Sequence, residues 1–570
     1  MVKPMYLMDV EAHIGTSRRA ENHRADAARV IRLRRRFIAG LCAVLATSTP
    51  SLAQQSEASW KNGAVCYEIF VRSFFDSDGD GIGDLKGLTM KLDYVNDGNP
   101  RSTRSLGARC IWLMPVASSP SYHGYDVKNY YRVNPEYGNN ADFKRLVAEA
   151  HRRGIKVLVD LVLNHASSEH PYFKEAMRDT ASPHRNWFRW SATNPNTRGP
   201  WGQQVWHKSS VRDEYYYGIF TAEMPDLNYE NPAGRQEAAR IARFWLTEMH
   251  VDGFRLDAIP YLVEEGDKLD HTAGTHAVLR EFARNVHSTS PSAYTIGEVW
   301  DSIGAQLPYY PDQLDAHFTF EASDALLDAV RTASSSKLLA PFLRMQREVP
   351  PARWAPFLRN HDQTRTLTAL GGDLARARLA AALLLTLPGL PFVYYGEEIG
   401  MRGDKPDPRL RTPMHWTLGH AAGFTTGEAW EPIQPDSLIA NVAAQTHDPA
   451  SLLNLYRRLI HLRGSNSALG SGELIPLSAS NSAVASYLRR DGTHIVLVVA
   501  NLGTTPLSNV TVSSKDGVLP VARYVSRDLL GGAVAAPLQV GRDGAVRAHL
   551  AVATLAPMQT YVLELRRSAR

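Results

Sequence analysis

The chain is poor in cysteine: three residues, Cys42, Cys66 and Cys110, among 570. That number cannot build a disulfide framework, which excludes the small stapled secreted folds. Neither these cysteines nor the 20 histidines fall at zinc-ligand spacings. Long hydrophobic runs are lacking too. No segment carries about 18 uninterrupted apolar residues, so none reads as a permanent membrane span. Excess charge of one sign is confined to the N-terminus, where residues 1 to 53 hold nine Lys/Arg against four Asp/Glu. This accounts for the whole formal charge of +5 and leaves 54 residues of each sign in the remainder. A chain so balanced has no global field to recruit nucleic acid or an anionic membrane, and a neutral substrate suits it better. Internal repeats and low-complexity tracts are absent as well.

The basic excess has a pattern. Arg32, Arg34, Arg35 and Arg36 precede an apolar run from Phe37 to Ala46, and Ser51-Leu52-Ala53 offers a small-x-small cleavage site. Residues 1–53 therefore read as an export segment that delivers the mature chain to the periplasm or the medium, with an amphipathic N-terminal helix as the alternative. Arg34-Arg35-Arg36-Phe37-Ile38 suits a twin-arginine route and a plain basic n-region alike. Cleavage would remove Cys42. Cys66 and Cys110 lie inside apolar strand-like runs and read as buried small hydrophobes, a bridge between neighbouring strands being the alternative.

A length of 570 residues with 44% hydrophobic and 21% charged composition calls for a large core and at least one further domain. Strand-like runs occur at Val65–Val71, Cys110–Met114, Val157–Val162, Phe254–Asp257, Thr295–Glu298, His317–Phe320, Phe357–Arg359 and Phe392–Tyr395. Helical patterns at Asp142–Arg152, Gln236–Glu248, His276–Val286 and Leu374–Leu385 alternate with them, which predicts an α/β fold of the (β/α)8 TIM-barrel type over 54–165 and 233–468. Residues 166–232 are too long for a loop and rich in Trp, Tyr, His, Asn and Pro, so they are expected to form an inserted subdomain. Short alternating runs in 469–570, such as Ala483–Leu488, His494–Ala500 and Thr560–Leu565, predict a C-terminal antiparallel β-sandwich.

Four of the barrel segments finish with ionisable residues: Asp160-Leu-Val-Leu-Asn164-His165, Gly253-Phe-Arg255-Leu-Asp257, Gly297-Glu298-Val-Trp300 and Arg359-Asn360-His361-Asp362. Singly, each would pass for an ion pair at a barrel rim. Together they bring Asp257, Glu298 and Asp362 to the C-terminal face, where barrels place their chemistry. Cleavage of a sugar acetal needs such a set: a protonated carboxyl for the leaving oxygen, an ionised one for the anomeric carbon, and a further anion for the oxocarbenium-like transition state. Arg255 lies two residues before Asp257, on the same side of a strand, and favours its ionised form. Glu298, beside Trp300 and other carboxylates, suits the acid.

These segments resemble the signature regions of the α-amylase family of glycoside hydrolases. The resemblance extends to Gly107-Ala-Arg-Cys-Ile-Trp-Leu-Met-Pro115, Met224-Pro-Asp-Leu-Asn228 and Gly389-Leu-Pro-Phe-Val-Tyr-Tyr-Gly-Glu-Glu398. It implies Asp257 as nucleophile, Glu298 as acid/base and Asp362 as transition-state stabiliser, with Tyr125, His165, Arg255 and His361 holding the attacked sugar in a retaining mechanism. Tyr122-His123-Gly124-Tyr125-Asp126 is similar to the family's stacking motif. Members that clip single glucoses carry an acid just ahead of the Gly-Tyr pair, where this chain has Tyr122 and His123. Internal cleavage of α-1,4-glucans and maltooligosaccharides by a monomer is the resulting expectation. Met224-Pro-Asp-Leu-Asn228 is similar to the bacterial α-amylase group between oligo-1,6-glucosidases and neopullulanases. Arg411-Thr-Pro-Met-His-Trp416 resembles the oligo-glucosidase and trehalose-synthase side, so α-1,6 cleavage and transglycosylation or isomerisation remain alternatives.

After the first strand, Asp76-Ser-Asp78-Gly-Asp80-Gly-Ile82-Gly-Asp84 puts oxygen ligands at alternate positions with glycines between, as a calcium loop demands. Gly87 stands where an EF-hand would place its bidentate Glu, so no EF-hand is present. The family resemblance implies a structural Ca2+ held by Asp76, Asp78, Asp80, Asp84 and the Ile82 carbonyl. A solvated, helix-capping acidic turn is the alternative. The insertion aromatics Trp187, Trp190, Trp201, Trp206, Tyr215, Tyr216 and Tyr217 suit sugar platforms or, more simply, subdomain packing.

Overall fold

The computed structural model describes residues 60–350 and 352–568; the export segment expected over 1–53 lies outside them. The eight apolar runs form eight parallel strands, β1 (Cys66–Ile69), β2 (Cys110–Leu113), β3 (Lys156–Leu161), β4 (Gly253–Leu256), β5 (Tyr294–Gly297), β6 (Ala316–Phe318), β7 (Trp354–Ala355) and β8 (Phe392–Tyr394). They pair in chain order, and β8 pairs with β1. The circle closes through the Leu390 N–H on the Trp354 carbonyl and the Phe392 N–H on the Pro356 carbonyl, each at 3.0 Å. The seventh strand sits three residues earlier than expected, because Pro356 has no N–H with which to extend the ladder.

Alternation along the strands divides the core. Cys66, Trp112, Leu158, Ile296, Phe318 and Phe392 fill the barrel interior. Tyr67, Ile111, Val157 and Phe254 point outward to the helices. The surrounding helices include α1 (Leu85–Met90), α2 (Asn140–Arg152), α3 (Pro232–Thr247), α4 (Ala273–Thr289), α5 (Phe320–Thr332), α6 (Leu374–Thr386) and α7 (Leu452–Ser465). Asn139 and Asp142 start α2 with a reciprocal capping box. Cys66 and Cys110 open β1 and β2 as register partners and are joined by a disulfide. This corrects the reading of both as free buried hydrophobes. Strand register, which a linear sequence does not display, makes them neighbours.

The insertion carries a helix, Pro171–Arg178, and a three-stranded antiparallel sheet. Trp190 stacks on Phe173 at 5.7 Å and Trp206 meets Tyr217 edge-on at 5.3 Å, so these rings build subdomain cores. The C-terminal region is a six-stranded antiparallel sheet formed by β9 (Glu473–Pro476), β10 (Val484–Asp491), β11 (His494–Asn501), β12 (Ala522–Asp528), β13 (Leu538–Val540) and β14 (Thr560–Arg567), in spatial order β9-β10-β11-β14-β12-β13. Val496, Val498 and Ala500 on β11 join the barrel-helix core, whereas Ile495, Leu497 and Val499 pack with Val512 and Leu555 from two short strand pairs on the other face. Helix α6 is apolar nearly all round because it lies among α5, α7 and β14. Each of its buried leucines contributes about 1.5–3 kcal/mol of burial energy.

Candidate active site

The inward alternation that fills the lower barrel with apolar groups delivers charges at the top. Arg255 on β4 is buried and meets carboxylates from three strands. Its Nη1 lies 2.9 Å from both oxygens of Asp160 at the end of β3 and 2.7 Å from Asp257 Oδ1. Its Nη2 lies 2.7 Å from Glu298 Oε2, just past β5. One planar guanidinium thus bridges the two carboxylates expected to do the chemistry. Ala258, next to Asp257, takes a left-handed conformation (φ 47°, ψ 36°) and donates its N–H to Glu298 Oε2 at 3.2 Å. A non-glycine residue there costs roughly 1–2 kcal/mol, and the strain is spent on orienting the acid.

Burial pushes the Glu298 carboxyl up to about 7; Arg255 opposes this, while Asp257 and Asp362 reinforce it. The group therefore holds its proton below neutrality and shares it with solvent near pH 7. Asp362, in the loop after β7, is treated oppositely. Burial would raise its pKa, but His361 and then Arg411 hold the carboxyl far below the usual range. His361 Nε2 is 3.1 Å from Asp362 Oδ2, and Arg411 Nη2 is 2.8 Å from Oδ1. Although burial disfavours its charge, His361 is driven up to about 9 by Asp362 and Glu68. Its Nδ1 lies 2.6 Å from Glu68 Oε1 on β1.

Tyr125 is tied into the same network. Its hydroxyl donates to Asp160 Oδ2 at 3.0 Å and lies 2.6 Å from His361 Nε2, and its ring is parallel to His361 at 5.6 Å. His165 is buried and held neutral by burial. Its ring meets the Tyr125 backbone, and its buried Nε2 makes no close side-chain hydrogen bond. Phe220 of the insertion meets the His165 ring edge-on at 5.3 Å, and half-exposed Trp201 stacks on Phe220 at 5.6 Å. Trp300 stacks on Phe320 at 4.8 Å and stays 55% exposed, so it forms an open edge beside the acid.

The structure thus gathers Asp257, Glu298, Asp362, Tyr125, Arg255 and His361 into one contact network at the top of the barrel, with His165 in the field of Asp257. Three further members, Glu68, Asp160 and Arg411, had no role assigned from sequence. Glu68 carries a usable signal, since it lies two residues after inward-facing Cys66 on a four-residue strand. Asp160 ends a strand as the other site carboxylates do, and Arg411 opens the Arg-Thr-Pro-Met-His-Trp segment.

In the acidic loop, ligand atoms of Asp76, Asp78 and Asp84 lie within 4.8 Å of one another. Asp80 stays outside this trio, its Oδ1 accepting the Ile82 N–H at 2.8 Å. Burial and then the charges of Asp78, Asp76 and Asp84 raise its pKa, against the Ile82 hydrogen bond. Asp84 also caps α1 through Gly87 N at 2.8 Å. An all-oxygen, crowded anionic donor set fits a hard cation of the calcium type.

A family model described as "Alpha amylase, catalytic domain" matches residues 68–472. The chain is 39% identical over 451 residues to alpha-amylase 3 of Dictyoglomus thermophilum, covering 78% of this chain and 85% of that protein. It is 34% identical over 521 residues to the trehalose synthase/amylase of Mycolicibacterium smegmatis, covering 79% and 85%. Among solved structures, the alpha-amylase from H. orenii aligns with a TM-score of 0.77 at 38% identity over 89% of this chain and all of that one. The matched residues hold all three candidate catalytic carboxylates, and the relatives include both hydrolases and synthases, which makes this chain a glycosidase or transglycosylase. It belongs to the α-amylase family of glycoside hydrolases.

Proposed function

We propose that this protein is an exported, retaining α-glucan hydrolase that cleaves internal α-1,4 bonds of starch-type glucans and maltooligosaccharides. The observation that carries the chemistry is the Arg255 bridge, which holds an ionisable Asp257 and a proton-retaining Glu298 on one guanidinium. Glu298 donates its proton to the departing glycosidic oxygen while Asp257 attacks the anomeric carbon. Asp362, kept anionic by His361 and Arg411, faces the developing positive charge. Water, activated by Glu298 acting as base, then releases the sugar with its anomeric configuration retained.

Internal cleavage is supported by the non-reducing side of the site. Tyr122 and His123 stand where an acid would close a terminal pocket, and Tyr122 stacks on Trp430 at 5.5 Å. The alpha-amylase 3 relative supports the same reading. A structural Ca2+ would be held by Asp76, Asp78 and Asp84, fixing the loop before α1. Export is supported by the N-terminal pattern and by the Cys66–Cys110 disulfide, a bond that persists in oxidising compartments.

A second reading, glucosyl transfer or maltose isomerisation, is favoured by the trehalose synthase relatives at 34–35% identity. The deciding experiment incubates the mature protein with starch, maltoheptaose, cyclodextrin, pullulan and maltose and identifies products by chromatography. Maltooligosaccharides of several lengths from starch are expected. Trehalose from maltose would reject the hydrolase, and glucose alone from every substrate would reject internal cleavage.

A further inference from the structure

Between the acidic loop and Asp362 runs a continuous set of contacts, of which the roles above use only the two ends nearest the site, Arg411 on Asp362 and Tyr122 on Trp430. The loop is sealed against residues 424–430. The Asp76 N–H donates to the Phe424 carbonyl and the Trp430 N–H to the Gly81 carbonyl, each at 3.0 Å, and the Thr425 hydroxyl donates to Asp76 Oδ2. The two backbones approach so closely that a Cβ on Gly81 would fall 1.9 Å from the Glu428 carbonyl oxygen, and one on Gly427 2.2 Å from that of Gly79. Neither can carry a side chain without separating the segments.

The segment ends on Trp430, whose ring lies nearly parallel to Tyr122, 5.5 Å away and tilted 25°. Its Nε1 donates to Ser73 Oγ at 3.0 Å, and that hydroxyl donates in turn to the Arg411 carbonyl. The Arg411 guanidinium lies 5.8 Å from the Tyr122 ring centre, 2.8 Å from Asp362 and 3.3 Å from Asp407, with Nε on the His361 carbonyl at 3.1 Å. Arg411 is therefore held at its backbone by Ser73 and over its guanidinium by Tyr122, and Trp430 contacts both.

We propose that loop 76–84 and segment 424–430 act as one positioning unit that sets Asp362 for transition-state stabilisation through Trp430, Tyr122 and Arg411. Trp430 is a positioning residue in this scheme and touches no reacting atom. Asp362 must meet charge that develops only in the transition state, so a small displacement of Arg411 lowers turnover more than substrate binding. The proposal rests on the role of Asp362 given above.

A double-mutant cycle on the full mature chain tests it, with kcat and KM for maltoheptaose and far-UV circular dichroism as a check on folding. Trp430→Ala is expected to lower kcat about tenfold with KM held within about twofold, and Trp430→Phe to recover most of the loss. In an Arg411→Ala background the same Trp430→Ala change is expected to cost less than about twofold, since the contact it acts through is gone. Equal losses in both backgrounds would overturn the proposal, as would an unchanged kcat in folded Trp430→Ala. If Trp430→Ala does not fold, Thr425→Val, which removes only the hydroxyl on Asp76, runs through the same cycle with the same criteria. A wild-type chain that cleaves no α-glucan would instead refute the function proposed above.

Discussion

Arg255 and Arg411 at the barrel mouth, and Arg463 and Arg489 between the barrel and the C-terminal sheet, are all buried, yet their surroundings differ in kind. The first pair faces carboxylates. Burial alone would depress its charge, but Asp160 and Glu298 around Arg255, and Asp362 beside Arg411, drive both well above the ordinary arginine range. The second pair has only carbonyl oxygens. Arg463 donates to the carbonyls of Leu385, Leu387 and Gly389, and Arg489 to those of Thr386 and Gly472. Burial lowers the pKa of both, that of Arg489 to about 10. At the mouth, buried positive charge organises acids that must react. At the interface it satisfies the open carbonyl end of α6, where a cation also complements the helix dipole.

The largest effects are expected at the carboxylates. Asp257→Asn and Glu298→Gln are each expected to lower kcat by about 10³-fold or more while leaving the melting temperature near that of the wild type. The first product of the wild type should retain its anomeric configuration, read by NMR during the initial turnovers. An inverted product would remove Asp257 from the nucleophile's role. The next effect belongs to the other region. Arg463→Met leaves three carbonyls, two of them buried, without their donor, so a loss of about 3 kcal/mol in unfolding free energy is expected with kcat unchanged. A fall in kcat without a fall in stability would contradict the division.

A pH profile sharpens the difference further. Glu298, raised to about 7, must hold its proton to serve as the acid. The protonated fraction is complete well below that value and falls as pH rises through it. The free-enzyme kcat/KM should therefore lose about tenfold per pH unit above roughly 7. In Arg463→Met this alkaline limb should not move, because the interface arginine faces none of the site carboxylates. A shifted limb in that variant would show that the two regions communicate.

How far these regions could be read beforehand follows the range of the interactions. Strand periodicity exposed the eight barrel strands, and ionisable residues at four strand ends exposed Asp257, Glu298 and Asp362, because both patterns are local. The pairing of Glu68 with His361 spans 293 positions, and that of Arg411 with Asp362 spans 49. Such contacts exist only once the barrel has closed. The Cys66–Cys110 bridge depended on parallel register in the same way. The displaced β7 is different: Pro356 was visible in the sequence, yet the apolar Phe357 beside it outweighed the missing N–H in the strand reading. Arg463 and Arg489 carried no signal as interface residues, since an arginine inside an amphipathic pattern reads as solvent-facing until the C-terminal sheet covers it.

The smallest expected effect tests what kind of cation the interface needs. In Arg489→Lys a compact ammonium replaces a fork whose Nε and Nη2 share the Gly472 carbonyl at 3.2 and 2.8 Å while Nη1 reaches Thr386. A lysine keeps the charge but not the fork, so a loss of about 1 kcal/mol with unchanged kcat is expected. Its pH dependence has a definite sign. The same burial would depress the lysine in the folded chain below its unfolded value, so folding must expel or bury a proton that the unfolded chain holds comfortably. The penalty is then complete below the depressed pKa and is relieved as pH rises through it. Denaturant midpoints of wild type and Arg489→Lys should converge as pH rises toward about 10, the ordinary lysine value. Divergence at alkaline pH would mean that the carbonyls at the end of α6 require a charged donor and that hydrogen bonding alone does not hold the barrel and the C-terminal sheet together.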